Sequence, residues 1–288
     1  MTISGSTRMQ ATTVQMLALG FALLHFQENQ NKFKYHFHQY IDDLQSLDYL
    51  KLAPFILAES SHYQKDGIVT YVSSDQLGIC ILTDTTERSP TFSLPSFEFT
   101  PSCHLSLSYL AIKGEENSNR AWTSLLGREP RCLDWKDLEF SISKRDLLKF
   151  DLSQNTIKRR EKLKNHLKFE IDNKIDDLIF KFNDLEVIWK LKKTDLFFHH
   201  MALKLLLNTL STLIMGILGR YEGNMMTFVR PSNLKLINRS VRYIQNLLKE
   251  SGQDVSEAII LDVFMNTEFD ENEPRVLKVL KKIQANLL

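Results

Sequence analysis

The sequence of 288 residues predicts an α/β fold, a mostly parallel sheet flanked by helices, with a helical segment before it and a helical bundle after it. Three observations carry that reading. Residues 201–219 are apolar nearly all round, lack proline and are long enough for about five turns, which predicts a helix buried on most faces. Gly67-Ile-Val-Thr-Tyr-Val72 is short, β-branched and aromatic, and a helical pattern follows it from Ser74 to Leu82. A buried strand, a turn and a helix in that order form the unit from which parallel sheets are built. Residues 167–171, 178–182 and 185–191 then read as three closely spaced strands, with Asn183-Asp184 as a tight turn, so antiparallel pairing is expected at one edge of the sheet.

Taken in order, the chain opens with Thr2-Ile-Ser-Gly-Ser-Thr-Arg8 and a helical pattern from Gln10 to about Gln30. Helices are expected over 34–46 and 50–64, completing a helical first segment, 1–64. An α/β unit, 65–222, should follow. It holds the strand near Gly67, a proline-rich loop over 85–103 with a short edge strand at 97–99, strands over 105–112 and 138–142, and a helix over 118–126. Residues 151–165 carry Lys158, Arg159, Arg160, Lys162 and Lys164, and such a run usually marks a solvated helix face. In the last unit, 223–288, Pro231 excludes a helix at that point and Ser232 can cap one that ends near Gly252. Two shorter helices, 254–265 and 273–287, complete a small bundle.

Composition narrows the function classes. With 43% hydrophobic residues, 25% charged residues and a net charge of +1, the chain is globular and has no general attraction to nucleic acid or anionic membrane. Cys80, Cys103 and Cys132 are odd in number and lack metal-ligand spacing. Neither a disulfide framework nor a metal site is implied, and a reducing cytoplasm fits best. The apolar run from Val14 to Phe26 is diluted by polar residues and has no small-residue cleavage site after it, so it reads as a folded helix. Residues 201–219 match a membrane span in length, but Lys204, Asn208 and Ser211-Thr212 favour a core helix.

Those polar groups recur at i, i+4 and i+7, along one side of the helix. A buried lysine needs an anion or a polar cleft, whereas one that snorkels reaches solvent. The hydroxyls of residues 2–8 and the amides of the helix they open could cradle an anion or form a plain cap. The turn Ser73-Ser74-Asp75 lacks glycine and carries an acid, which makes it a poor phosphate site.

Two separated stretches resemble one family pattern. Ile3-Ser-Gly-Ser-Thr-Arg8 is similar to the segment that opens a helix in N-acetylmuramic acid 6-phosphate etherases and in glucokinase regulatory protein. Lys204-Leu-Leu-Leu-Asn-Thr-Leu-Ser-Thr212, with Gly223-Asn-Met-Met226 and Pro231-Ser-Asn-Leu-Lys-Leu236, is similar to the helix and following segment of the same proteins. Both belong to the sugar isomerase (SIS) superfamily of phosphosugar-binding domains. The spacing of the two stretches is closer to the two SIS domains of the regulatory protein.

The resemblance implies a sugar-phosphate site made of Ser4, Gly5, Ser6, Thr7 and Arg8 with Lys204 and Asn208, and no cofactor. The family's catalytic glutamates and Gly/Ser-rich loop lie upstream of the Ser-Gly-Ser-Thr-Arg segment, at which this chain begins. The expectation is therefore a cytoplasmic, non-catalytic sugar-phosphate sensor with a protein partner or a second copy of itself. An etherase relative and a degenerate scaffold are the alternatives. Glu59, Asp75, Glu98, His62 and His104 are possible acids and bases, but none sits in a family catalytic motif.

Overall fold

The computed structural model describes residues 30–88, 106–131, 144–162, 165–175, 177–191, 196–223, 225–229, 234–268 and 274–287. The first expected helix up to residue 29, the expected strands at 97–99 and 138–142, and Ser4, Gly5, Ser6, Thr7 and Arg8 lie outside the described residues.

Helix α1 (Gln30–Ser46) leads through a 3-10 turn (Tyr49–Leu52) into α2 (Ala53–Gln64), which begins with Pro54 in its first turn. Strand β1 (Ile68–Ser73) follows, then α3 (Asp75–Arg88), β2 (Ser108–Ile112), α4 (Ser118–Leu126), α5 (Lys144–Leu148) and α6 (Asn155–Arg160). The antiparallel strands β3 (His166–Lys174), β4 (Asp177–Phe182) and β5 (Leu185–Lys190) precede α7 (Leu196–Ile217). A two-residue ladder, β6 (Tyr221–Glu222) and β7 (Met225–Met226), connects to α8 (Leu234–Glu250), α9 (Glu257–Met265) and α10 (Arg275–Leu287).

The five long strands form one sheet in the order β2-β1-β3-β4-β5. β1 pairs in parallel with both β2 and β3, and the β3-β4-β5 meander is antiparallel, as the strand spacing predicted. β1 is buried at every position, in keeping with its continuous apolar run between two covered faces. In β5, buried and exposed residues alternate because one face meets solvent.

One face of the sheet carries Tyr71, Phe169, Phe180, Phe182 and Trp189, all in the main hydrophobic cluster with α7. Met201, Ala202, Leu203, Leu206, Leu207, Leu210 and Ile214 of that helix are fully buried, each large side chain contributing about 2 kcal/mol. α7 is long and apolar enough to cross a membrane, but here it packs against α2 and α3 as the core helix. The last three helices close a separate cluster around Ile244, Phe264, Val276 and Val279. Gly252 ends α8 at φ +79°, a backbone region that glycine enters without strain.

The basic run differs from expectation. Helix α6 covers only Asn155–Arg160, and Thr156, Ile157 and Arg160 face inward. Arg160 is 2% exposed, lies 4.1 Å from the centroid of the Tyr109 ring and donates from Nη1 to Thr70 Oγ1 at 3.1 Å. Helical spacing turned one cation of the run onto the sheet, where an aromatic face and a hydroxyl replace water.

Ile175, in the β3–β4 turn, has φ +49° and is 86% exposed. A β-branched side chain is disfavoured there and gains little packing in return. Ile175→Asn is expected to stabilise the protein by about 1 kcal/mol, measured as an increase in the urea midpoint. A lower midpoint would contradict it.

Candidate functional site

Open α/β sheets bind ligands outside the carboxyl ends of the strands where the connections diverge. β1 leads by way of α3 to β2 on one side, and β3 leads by a hairpin to β4 on the other, so that point lies between β1 and β3. Ser73 ends β1 fully buried, and its hydroxyl has no hydrogen-bond partner among the described residues. Its main-chain oxygen accepts from the Lys113 amide at 2.9 Å. Lys113 Nζ pairs with Asp172 at 3.1 Å in a half-exposed setting. Asn173 Oδ1 lies 3.1 Å from His199 Nδ1 in the first turn of α7. Ser153, bridged to Ile112 beside β2, is a second buried hydroxyl without a described partner.

From this crevice a polar seam runs along the contact of α3 and α7. His200 Nδ1 lies 3.2 Å from Cys80 Sγ, Lys204 Nζ donates to Thr83 Oγ1 at 2.9 Å, and Ser211 Oγ donates to Asp84 Oδ1 at 2.8 Å. These are the polar positions that spacing placed on one side of the central helix. Lys204 is 6% exposed, so it does not snorkel to solvent. Asn208, one turn on, is buried, and its Oδ1 has no described hydrogen-bond partner. Burial pushes the Cys80 thiol up to about 11, Lys204 opposing and Asp84 adding to the shift. The thiol therefore stays protonated and is a poor nucleophile at neutral pH. Burial, and then neighbouring His199, lowers the His200 pKa and keeps its ring neutral there.

The structure thus brings Lys204 and Asn208 together on one seam. The adjacent histidines His199 and His200 diverge, one to Asn173 and the other to Cys80. No group of three His, Cys, Asp or Glu able to hold a metal occurs among the described residues. Glu59 is fully buried and bonded to Tyr63 and Tyr71, and His62 Nε2 lies 3.1 Å from the Ile68 carbonyl. Glu98 and His104 lie outside the described residues. The sequence drew attention to Cys80 only as a thiol without metal-ligand spacing, and Thr83 and Asp84 beside it were not singled out. Their i, i+3, i+4 spacing, on a helix that also carries apolar Leu77 and Ile81, was the available signal.

The opposite sheet face has a groove of about 440 Å³ lined by Glu161, His166, Leu167, Lys168, Glu170, Lys181 and Asn183. His166 Nε2 lies 2.9 Å from Thr70 Oγ1, the hydroxyl that Arg160 also contacts. Burial, then the Arg160 charge, lowers the His166 pKa from 6.5 to about 4. A group with a depressed folded pKa stabilises the protein above its unfolded pKa. That stability is lost as pH falls from about 6.5 through 4. Because the ring is half-exposed, solvent screening reduces the expected loss to about 1–2 kcal/mol. His166→Gln should flatten this part of the urea-midpoint profile between pH 7 and 4, and an unchanged slope would assign the acid loss to other groups.

No family model matches the chain. Two curated proteins are similar to part of it. The N-acetylmuramic acid 6-phosphate etherase of Synechococcus sp. (strain CC9605) is 41% identical over 71 aligned positions, covering 21% of this chain and 22% of the relative. That of Staphylococcus epidermidis (strain ATCC 35984 / DSM 28319 / BCRC 17069 / CCUG 31568 / BM 3577 / RP62A) is 35% identical over 80, covering 24% and 27%. The chain spans about a quarter of the length of these relatives. Its α/β fold is consistent with a sugar isomerase-like fold, and its similarity to the two etherases covers no more than about a quarter of the chain.

Proposed function

We propose that this protein binds a sugar phosphate and acts as a non-catalytic sensor whose contacts with a protein partner, or with a second copy of itself, respond to the ligand. The observation that carries the reading is Lys204, nine-tenths buried on the seam beside an Asn208 carbonyl that lacks a described partner. A cation and an amide held one turn apart suit a phosphate and a sugar hydroxyl. The partial similarity to two N-acetylmuramic acid 6-phosphate etherases supports the ligand class. Ser4, Gly5, Ser6, Thr7 and Arg8 are proposed to supply further hydroxyl, amide and guanidinium donors.

Binding is preferred over turnover because the buried carboxylates Glu59 and Asp84 are already held by tyrosine and serine hydroxyls. Neither is placed to act as a general base on a ligand. A second position for the phosphate, in the crevice at the carboxyl ends of β1 and β3, is favoured by the buried Ser73 hydroxyl and opposed by the acid Asp75 in the same glycine-free turn, so it ranks below the seam.

The test is thermal shift with fructose 6-phosphate, fructose 1-phosphate, glucosamine 6-phosphate and N-acetylmuramic acid 6-phosphate, followed by NMR of each ligand after incubation. A ligand at 100 times its dissociation constant should stabilise by about 2.7 kcal/mol. Lys204→Met is expected to weaken binding by at least about tenfold, with Ser6→Ala weakening it less. Unchanged affinity in both variants with loss in Ser73→Ala would move the site to the crevice. Consumption of N-acetylmuramic acid 6-phosphate would favour the etherase reading, and no shift with any ligand would leave the scaffold.

A further inference from the structure

Residues 250–273 contain eight acids and no lysine or arginine, in a chain whose net charge is +1. Helix α9 lies within this stretch, capped by Ser256, whose hydroxyl accepts from the Ile259 amide. It turns Ile260 and Phe264 into the bundle core. Its outward side is also apolar. Ala258, Leu261 and Met265 follow one another at helical spacing, with Ile259 beside them, and Ile259, Leu261 and Met265 are 55%, 42% and 57% exposed. Helix α10 in the same bundle instead presents Lys281 and Lys282 outward.

An apolar strip on a short helix, with carboxylates along it, has the chemistry of a helix-docking surface. Glu257, Asp262 and Glu268 are exposed beside or just beyond the strip. We infer that α9 is a docking surface for a basic amphipathic helix of a partner protein. The partner's apolar side would cover Ile259, Leu261 and Met265, and its lysines or arginines would meet the acids. Methionine at the end of the strip adapts to differently shaped apolar partners.

Charge selects this occupant over others. The acids repel nucleic acid and anionic lipid. A second copy could offer its basic run, but α6 buries Ile157 against its own sheet and has no apolar face left to cover the strip.

The experiment uses the whole chain and fluorescence anisotropy of a labelled amphipathic peptide of leucine and lysine at helical spacing, with a leucine and glutamate counterpart as control. The lysine peptide should bind saturably, weaken as salt rises, and exceed the glutamate peptide by at least about tenfold. The double variant Ile259→Ser/Met265→Ser should lose about tenfold in affinity. Asp262→Lys should lose affinity for the lysine peptide and gain it for the glutamate peptide. All three positions are exposed, and unchanged circular dichroism and thermal midpoints check that the bundle remains folded. No saturable binding, equal binding of both peptides, or wild-type affinity in the variants would overturn the inference. So would a strip-dependent self-association, seen by sedimentation, that the lysine peptide fails to displace.

Discussion

Phe169→Ala is expected to cost about 4 kcal/mol of stability, a large share of the 5–15 kcal/mol by which domains usually stay folded. Phe169 is fully buried at the centre of the sheet. Its ring stacks on Tyr71 at 4.7 Å and on Phe182 at 5.3 Å, meets Phe180 edge-on at 5.7 Å and lies tilted to Phe55 at 5.7 Å. Alanine would remove the ring's contacts with β1, β4 and α2 together and leave a cavity that rigid strands cannot close. Phe169→Leu should retain much of the volume and cost roughly half as much. Urea unfolding of the three proteins measures the difference. A loss under about 1 kcal/mol for the alanine variant would mean that the core is not organised around this ring.

Glu59→Leu is expected to cost about 3 kcal/mol, although it places an apolar side chain in a buried position. The Tyr71 hydroxyl lies 2.9 and 2.8 Å from the two Glu59 carboxylate oxygens, and the Tyr63 hydroxyl lies 2.5 Å from Oε1. Removing the carboxylate takes away this shared acceptor within a fully buried cluster. Glu59→Gln keeps one acceptor and should cost less. If the phenol–carboxylate contact is the cause, adding Tyr71→Phe to Glu59→Leu should cost much less than Tyr71→Phe does alone. A double-mutant cycle reads that coupling, and strict additivity would show that the network carries no energy of its own.

The candidate site was only partly legible in the chain. The polar positions Lys204, Asn208 and Ser211 could be placed on one side of a buried helix, because helical periodicity is a local property. What stands opposite them could not be read. Lys204 meets Thr83, and Ser211 meets Asp84, across more than a hundred residues of sequence. Such pairs depend on how α3 and α7 pack over the sheet. Arg160 teaches the same lesson with the opposite outcome. Its neighbours gave it the character of a solvated charge run, and only the position of α6 over Thr70 and Tyr109 put its guanidinium in the interior.

Local pattern in the chain was enough for the α/β class, the buried central helix, the antiparallel meander beside the parallel strands and the helical bundle at the end. Each of these rests on periodicity, β-branching or turn residues acting over a few neighbours. The β2-β1-β3-β4-β5 order, the partners along the α3–α7 seam, the Glu59 network and the outward apolar side of α9 came from long-range packing. The physical reason is range. Local patterns state which side of an element is apolar, whereas burial, desolvation and pairing depend on which distant element comes to cover it.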